Sequence, residues 1–346
     1  MRQVAMRNVQ EGDVIAKHIF SSNGQPLVTK GVRLSKNIIR RLKSLGIYFV
    51  YIEDERFDDV IIGDVISEKT RLITLQTIRD VFERVAKGED FDGFSVRKCA
   101  DDIYDEIKYD NDCMINLLNS YSHEDHIYFH SMNTAILSAV TGKNLGMNAY
   151  ELEELIVGAL LHDIGKVFLP GRLLYKKEDS LKGKDRELFE KHTKDGFDVL
   201  RKKRELSLKS SAVAHQHHEN VDGSGYPRGL KGDSITLYSR IVRAADIYDT
   251  LLYVDKILPH EAVEVLMGLA NTHLDAEVVK AFVRNVAIYP NGVTVKLNNG
   301  KYGVVIRQNR NFPQRPVIRL IQEEDNSYYD FDLLTNTTTF IEEVIV

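Results

Sequence analysis

The chain is poor in cysteine and has no long apolar segment, and both absences limit what it can be. Only two cysteines, Cys99 and Cys113, occur among 346 residues, and neither belongs to a Cys-x-x-Cys motif. The sequence therefore predicts neither a disulfide framework nor a zinc site built on thiolates. No apolar run reaches the roughly 18 residues that would span a bilayer, and Met1–Phe20 contains no apolar stretch of signal-peptide length. We expect a soluble protein of the cytoplasm.

The charge balance shows no strong bias of either sign. The net charge is −5, and hydrophobic residues make up 43% of the sequence. A nucleic acid polymer held by bulk electrostatics is therefore not expected as a partner, whereas globular hydrophobic cores are. A chain of this length predicts two or three domains.

Hydrophobic periodicity divides the chain into four regions. They are a small α/β accessory module at 1–55, a helical connector at 56–118, an almost entirely helical domain at 119–288 and a small β-strand module at 289–346. We therefore predict a mostly α protein, with an all-helical bundle core, a small α/β N-terminal module and a small β C-terminal module.

Both ends of the chain carry hairpin signals. Asn23-Gly24 separates two short apolar segments, and Asn299-Gly300 separates two segments of alternating apolar residues. Val317–Ile321 predicts a further strand. Near the N-terminus, the pattern predicts a helix from Ser35 to Leu45, followed by a closing strand over Ile47–Ile52.

The helical region 119–288 holds a high concentration of histidine. Eight of the 11 histidines lie between His123 and His218, interleaved with carboxylates. Imidazole and carboxylate groups together bind divalent iron, manganese or zinc, and such metals activate water for hydrolysis. The sequence therefore predicts a metal centre in this region.

The pair His162-Asp163 follows a predicted helix that Asn148 caps, with Glu151 three residues on. Asp163 continues the apolar stripe of that helix, three residues after Leu160. A carboxylate buried without a partner is costly, and a metal ion removes that cost. We therefore predict His162 and Asp163 as ligands.

Other candidates follow from their spacing. His126, His130 and Asn133 share one helix face; His130 is a ligand candidate, and His126 is either a ligand or a supporting residue. Adjacent residues of a helix point about 100° apart, so His217 and His218 would serve two different metals.

Three more residues complete the candidate site. Asp246 and Asp249 lie three residues apart, which predicts one ligand and one hydrogen-bonding support. Lys166, one turn after Asp163, either stabilises charge on a phosphate oxygen or complements the end of a helix.

These residues together resemble the HD-GYP domain, a branch of the HD phosphohydrolase superfamily. The matching residues are, in chain order, His130, His162-Asp163, Lys166, His192, His217-His218, Gly225-Tyr226-Pro227 and Asp246. The resemblance covers residues 119–288. It is specific because the whole string Asp222-Gly223-Ser224-Gly225-Tyr226-Pro227 follows the His-His-Glu run.

The resemblance implies a helical-bundle phosphodiesterase that hydrolyses cyclic di-GMP to the linear dinucleotide pGpG and, in some members, to GMP. It implies two or three divalent metal ions, with iron or manganese favoured and zinc left open, and attack on phosphorus by a hydroxide that bridges two metals. Asp163 would be the bridging ligand, and Lys166 would stabilise a phosphate oxygen. The implied ligands are His130, His162, Asp163, His192, His217, His218 and Asp246, with His126 where three-metal members carry a glutamate.

Substrate contacts are implied for Gly225, Tyr226, Pro227 and Lys256. The glycines permit a tight turn, which we expect to expose Tyr226 for packing on a base or a partner. One stretch departs from the family: Asp255–Leu258 stands where Arg-Pro-Tyr-Arg or Arg-Pro-Tyr-Lys is usual. Losing one charge-assisted contact costs about 1.5–3 kcal/mol, or about ten- to a hundredfold in affinity, so we expect altered recognition.

Three functions remain open at this point. The leading one is a metal-dependent cyclic di-GMP phosphodiesterase. The second is a weak or inactive receptor or scaffold that binds a cyclic dinucleotide, or a protein partner through the Gly225–Pro227 loop. The third is a phosphohydrolase of a different nucleotide. A homodimer is also left open, and no membrane partner is expected.

Overall fold

Helices make up most of the regular structure of the protein. The structure, a computed structural model, describes residues 1–21, 25–109, 126–174, 176–309, 312–322 and 327–345. Over these residues it contains 11 α-helices and nine short β-strands, so the predicted mostly α fold class is confirmed. The chain divides into two compact units, one of residues 65–113 and 127–283 and the other of residues 1–64, 114–126 and 284–346, as far as these are described.

The elements have the following bounds in chain order. The helices are α1 (Lys36–Ser44), α2 (Glu68–Ala86), α3 (Gly93–Ile107), α4 (His126–Asn144), α5 (Ala149–Leu161), α6 (Gly171–Leu174), α7 (Gly183–Leu200), α8 (Leu208–Gln216), α9 (Leu237–Tyr253), α10 (Pro259–Gly268) and α11 (Ala276–Val283). The strands are β1 (Arg2–Ala5), β2 (Ile19–Phe20), β3 (Pro26–Val28), β4 (Phe49–Ile52), β5 (Thr294–Leu297), β6 (Tyr302–Arg307), β7 (Val317–Ile321), β8 (Tyr328–Asp332) and β9 (Ile341–Ile345). None of the described helices is both long and apolar enough to cross a membrane.

Helix α5 positions the most informative residues of the helical unit. It begins as predicted, with a capping box in which Asn148 and Glu151 bond each other's backbone N–H groups. It ends at Leu161, and a 3₁₀ turn over Ile164–Phe168 follows. Asp163 therefore lies just beyond the helix rather than on its stripe, although it is buried as expected.

The N-terminal part of the other unit contains two small antiparallel sheets and one helix. Strand β1 pairs with β4, and β2 pairs with β3. The Ser35 side chain accepts from the Ile38 N–H to cap α1, and Gly46, at φ +77°, follows the helix. The closing strand begins at Phe49, two residues later than predicted. The turn residues Asn23-Gly24 lie outside the described residues.

The C-terminal part forms a five-stranded antiparallel sheet in the order β8-β7-β6-β5-β9. The predicted hairpin of β5 and β6 is present, with Gly300 at φ +81°. Strand β7 was also predicted, whereas β8 and β9 were not. Their acidic residues are depleted in strands generally, and these strands owe their stability to pairing with β7 and β5.

The two terminal parts of the chain meet in this unit. The Gln3 N–H donates to the Gly292 carbonyl oxygen at 2.9 Å. The buried Arg319 guanidinium, on β7, forms ion pairs with Asp59 at 2.6 Å and with Asp330 at 2.8 Å. The segments predicted as separate N- and C-terminal modules therefore pack together.

We expect Arg319→Met to loosen this packing, because Arg319 joins residue 59 to the sheet. Both carboxylate partners are largely exposed and screened by water, so the expected loss in free energy of unfolding is about 1–2 kcal/mol. Thermal and urea unfolding measure it. The control is Arg307→Met, which changes an exposed arginine of β6; equal stability of the two variants would contradict the assignment.

Candidate metal centre

The carboxylate of Asp163 is the centre of a buried cluster of imidazoles. Asp163 is 1% exposed, and two histidines face each of its oxygens. The Nε2 atoms of His130 and His162 lie 3.7 and 3.5 Å from Oδ2. Those of His192 and His217 lie 3.6 and 3.5 Å from Oδ1. One carboxylate thus separates two pairs of nitrogen donors.

The spacing within each pair fits a shared metal ion. The two Nε2 atoms are 3.2 Å apart in the pair His130–His162 and 3.3 Å apart in the pair His192–His217. Two nitrogens bound to one ion at about 2.1 Å, with angles of about 90–110°, lie about 3.0–3.4 Å apart. Within the described part of the chain, Oδ1 of Asp163 accepts no regular hydrogen bond, and Oδ2 forms an ion pair with Lys166. A buried donor set of this kind fits divalent metal ions, which the two pairs of histidines and Asp163 would hold.

Backbone contacts fix the protonation of three of these imidazoles. In each, Nδ1 lies 2.5–3.1 Å from the carbonyl oxygen of the residue three positions earlier. The three are His162 on Ala159, His192 on Phe189 and His217 on Ala214. A carbonyl oxygen only accepts, so Nδ1 carries the proton and the lone pair of Nε2 points into the cluster, as metal ligands require.

The fourth imidazole, His130, is held by a carboxylate instead. Its Nδ1 lies 2.7 Å from Oδ2 of Asp249, whose other oxygen accepts from Asn133 at 2.9 Å. Its Nε2 lies 3.2 Å from Oδ1 of Asp246. Asp246 therefore faces the metal-side nitrogen of His130, and Asp249 faces the supporting one.

The imidazoles of the cluster differ in charge. Burial opposes the charged form of His130, but hydrogen bonds to Asp246 and Asp249 raise its pKa to about 10. Burial lowers the pKa of His162 to about 4 and the pKa of His192 to about 3, so both rings are neutral at pH 7 and free to ligate. Burial alone would raise the pKa of Asp163. Lys166 and His162 outweigh it and hold that pKa well below its usual range.

Lys166 is the cation that lies beside the Asp163 carboxylate. Its Nζ lies 2.5 Å from Oδ2 of Asp163. Burial opposes the charged form, but the attraction of Asp163 and Asp246 keeps the pKa of Lys166 above its ordinary value. A permanent positive charge therefore sits beside the cluster.

A close backbone approach places Asp163 against α7. A Cβ atom added at Gly165 would lie 1.9 Å from the His192 carbonyl oxygen and 2.7 Å from the Gly196 nitrogen. Only glycine permits this contact between the 3₁₀ turn and α7. The contact holds Asp163 and His192 at their observed separation.

His218 belongs to the same cluster but is held differently. Donor atoms of Asp163, His192, His217 and His218 lie within 4.8 Å of one another. This grouping places His217 and His218 on one side of Asp163, contrary to the expectation that they serve two different metals. The Nδ1 of His218, however, faces the Arg243 guanidinium at 3.0 Å. Since arginine only donates, Nδ1 accepts there, and the buried Nε2 has no hydrogen-bond partner among the described residues.

The expected exposure of Tyr226 is wrong. The Tyr226 ring is 9% exposed and stacks on the ring of His218, with the two centroids 4.6 Å apart and the planes 14° apart. A Cβ atom at Gly225 would lie 2.3 Å from the Asn220 nitrogen, so the turn folds back on its own backbone. Tight packing of the turn therefore directs Tyr226 inward, and only Pro227 of the Gly-Tyr-Pro triplet is exposed.

Two residues near His218 were missed by the sequence analysis. Arg243, one turn before Asp246, contacts both His218 and Asp246. The carboxylate of Glu178 lies 3.5 Å from Nδ1 of His218. The i, i+3 spacing of Arg243 and Asp246 could have predicted that both lie on one face of the helix. No local sequence pattern predicts the position of Glu178 at the site.

Three further residues considered in the sequence analysis are Lys256, Asp255 and His126. Lys256 follows α9, and its Nζ donates to the Tyr253 carbonyl oxygen; burial lowers its pKa to about 8. Asp255 forms an ion pair with Lys177. His126 is the first residue of α4, four residues before His130. One of its donor atoms lies within 4.8 Å of donor atoms of His130 and Asp249, and its role as a ligand stays a prediction.

Comparison with known families gives two matches. Residues 112–278 match the HD domain, and residues 294–346 match the KOW domain associated with HD domain. The first match contains every residue of the cluster, and the second covers the five-stranded sheet.

Several characterised relatives are similar to the chain. It is 30% identical over 234 residues to a cyclic di-GMP phosphodiesterase of Pseudomonas aeruginosa, covering 66% of this chain and 56% of that protein. It is 28% identical over 225 residues to the cyclic di-GMP phosphodiesterase PdeB of Borreliella burgdorferi, covering 62% and 59%. It is 35% identical over 130 residues to a 3'3'-cGAMP-specific phosphodiesterase of Vibrio cholerae, covering 36% and 25%. The chain thus spans little more than half the length of the first two.

A solved structure shares the fold. A HDG"Y"P protein from Bdellovibrio bacteriovorus superposes with a TM-score of 0.52 at 19% sequence identity. The superposition covers 81% of this chain and 97% of that one. This likeness supports the helical architecture and says nothing of the substrate.

We expect Gly165→Ala to disrupt the centre, because the added methyl group overlaps the backbone of α7. Overpacking of this kind costs about 1–3 kcal/mol or more, and it separates Asp163 from His192. The purified variant should bind less metal per chain, measured by elemental analysis beside thermal unfolding. The matched control is Gly171→Ala, where an added Cβ meets no atom within 4 Å. Wild-type metal content in Gly165→Ala would refute the close-approach argument.

Proposed function

We propose that the chain, whose residues 112–278 match the HD domain, is a metal-dependent phosphodiesterase of the HD domain family that hydrolyses cyclic di-GMP to pGpG. The observation that carries the proposal is the buried Asp163 carboxylate between two pairs of imidazole nitrogens. The names of the relatives from Pseudomonas aeruginosa and Borreliella burgdorferi support the substrate. GMP, formed by further hydrolysis of pGpG, is a second product to test.

The donor set supports two divalent metals. We propose that Asp163 bridges them, and that the remaining ligands are His130, His162 and Asp246 on one side and His192, His217 and His218 on the other, with His126 as a candidate for a third ion. Nitrogen and carboxylate donors without thiolate favour iron or manganese and also accept zinc. When bound, the metals supply an activated water and neutralise charge on the phosphate.

The protein's own residues would orient and neutralise the reacting groups. Lys166 holds a positive charge beside Asp163 and would stabilise a non-bridging phosphate oxygen as charge develops there. Asp249 fixes the ring of His130 so that Nε2 faces inward. Tyr226 would act by holding His218 in place, since its ring covers that imidazole.

Recognition of the two guanine nucleotides is proposed to involve the Gly225–Pro227 loop and Lys256. Pro227 is exposed at the edge of the packed turn, and Lys256 is exposed just beyond the end of α9. Asp255, which stands where the family usually carries an arginine, is neutralised by Lys177. A protein partner at the loop and a homodimer remain further proposals.

A second candidate substrate is 3'3'-cGAMP. Two relatives from Vibrio cholerae, 35% and 33% identical over shorter spans, are named for this cyclic dinucleotide. The same centre would cleave its phosphodiester bonds, so the choice of base alone distinguishes the two candidates. A receptor that binds a cyclic dinucleotide without hydrolysis is the remaining alternative.

We expect Asp163→Ala to abolish hydrolysis and to lower the metal content, because it removes the ligand shared by both pairs of histidines. The loss in turnover should exceed about 100-fold, as for removal of one catalytic electrostatic group. The assay purifies the protein without oxygen, quantifies bound metal, and follows products from cyclic di-GMP and 3'3'-cGAMP by chromatography. Glu187→Ala, an exposed carboxylate of α7, is the control.

The outcomes separate the candidates. Turnover of cyclic di-GMP by the wild type and by Glu187→Ala, but not by Asp163→Ala, supports the proposal. Faster turnover of 3'3'-cGAMP than of cyclic di-GMP makes 3'3'-cGAMP the proposed substrate instead. A fully metal-loaded wild type that binds but never cleaves either dinucleotide overturns it in favour of a receptor.

A further inference from the structure

Arg243 is a nearly buried cation beside the metal centre. It lies on α9, one turn before Asp246, and its side chain is 15% exposed. Its Nη1 lies 3.0 Å from Nδ1 of His218 and 3.4 Å from Oδ2 of Asp246. Its Nη2 lies 3.3 Å from Oδ1 of Asn220.

These contacts leave the guanidinium weakly paired. Charge-assisted bonds are usually about 2.7–2.9 Å long, and all three contacts of Arg243 are longer. The buried Nε has no acceptor among the described residues. Nε and Nη2 form one edge of the guanidinium, the two-donor fork that matches phosphate oxygens.

A second arginine on the same helix, Arg240, is paired more closely with carboxylates than Arg243 is. Arg240, three residues earlier and similarly buried, pairs with the Asp275 carboxylate at 2.6 Å and with Asp233 at 3.1 Å. Arg243 has only the longer contact to Asp246, whose other oxygen faces His130. A buried charge needs a counter-charge, so the surroundings of Arg243 favour an incoming anion.

Lys166 is a second cation of the same cluster. Its Nζ pairs with the Asp163 carboxylate, as Nη1 of Arg243 contacts the Asp246 carboxylate. Two cations thus lie beside two carboxylates of one cluster.

We propose that Arg243 binds a non-bridging phosphate oxygen of the substrate, beside the Asp163 cluster. The identity of the substrate rests on the proposed function; the binding of a phosphate group does not. Arg243 would supply the phosphate-binding cation that Asp255–Leu258 lacks, and would thereby set the affinity of the site for phosphodiesters.

The test compares Arg243→Met, Arg243→Lys and the matched control Arg240→Met in manganese-loaded, full-length protein. Steady-state kinetics on cyclic di-GMP give kcat and KM, calorimetry gives the affinity for inorganic phosphate, and elemental analysis gives metal per chain. Arg243→Met should lower kcat/KM and phosphate affinity about 10- to 100-fold with metal content unchanged. Arg243→Lys should recover part of the loss, and Arg240→Met should bind phosphate like the wild type.

Two results overturn the inference. One is wild-type phosphate affinity and KM in Arg243→Met. The other is a loss of metal in proportion to the loss of activity, which makes Arg243 a positioning residue for His218 and Asp246. If the wild type cleaves no cyclic dinucleotide, the proposed function fails, and the phosphate affinities of the variants still decide the role of Arg243.

Discussion

The burial of a single carboxylate is the constraint on which the helical unit depends. Asp163 has almost no exposure to water, its charge is paired with Lys166, and four imidazoles from α4, α7 and the ends of α5 and α8 surround it. An unpaired carboxylate in such a position would cost several kcal/mol. The fold must therefore keep Lys166 beside Asp163 and bring the histidines to one point, where bound metal ions would compensate the same charge.

Both local contacts and contacts between distant parts of the chain hold the residues around Asp163 in place. Backbone carbonyl oxygens orient His162, His192 and His217 from within the same stretch of chain, so the local fold determines the direction of each ring. The missing side chain at Gly165 sets the approach of the 3₁₀ turn to α7. Asp249 alone supports its imidazole, His130, from a distant helix. The geometry of the centre thus depends on few long-range contacts.

Much of this could be predicted from the sequence because the signals are local. The capping box of α5, the hairpin around Gly300 and the clustering of histidines depend on residues close in the chain. The inward orientation of Tyr226 and the contacts of Glu178 and Arg319 depend on residues that only folding brings together. No spacing in the sequence predicts these contacts. Strands β8 and β9 were missed for a related reason, since acidic strands are stabilised by their neighbours rather than by their own composition.

The carbonyl contacts of the three histidines have a consequence for how the centre acquires its ions. Each ring is held by a turn of its own helix, so the donor atoms are already arranged before any ion arrives. A metal ion that binds there would enter a site that is already formed, and little of its binding energy would be spent on ordering the chain. The affinities of nitrogen and oxygen donors for first-row divalent ions follow an intrinsic order, so the supply of each metal in the cell, together with the ligand types and their geometry, would decide which ion binds.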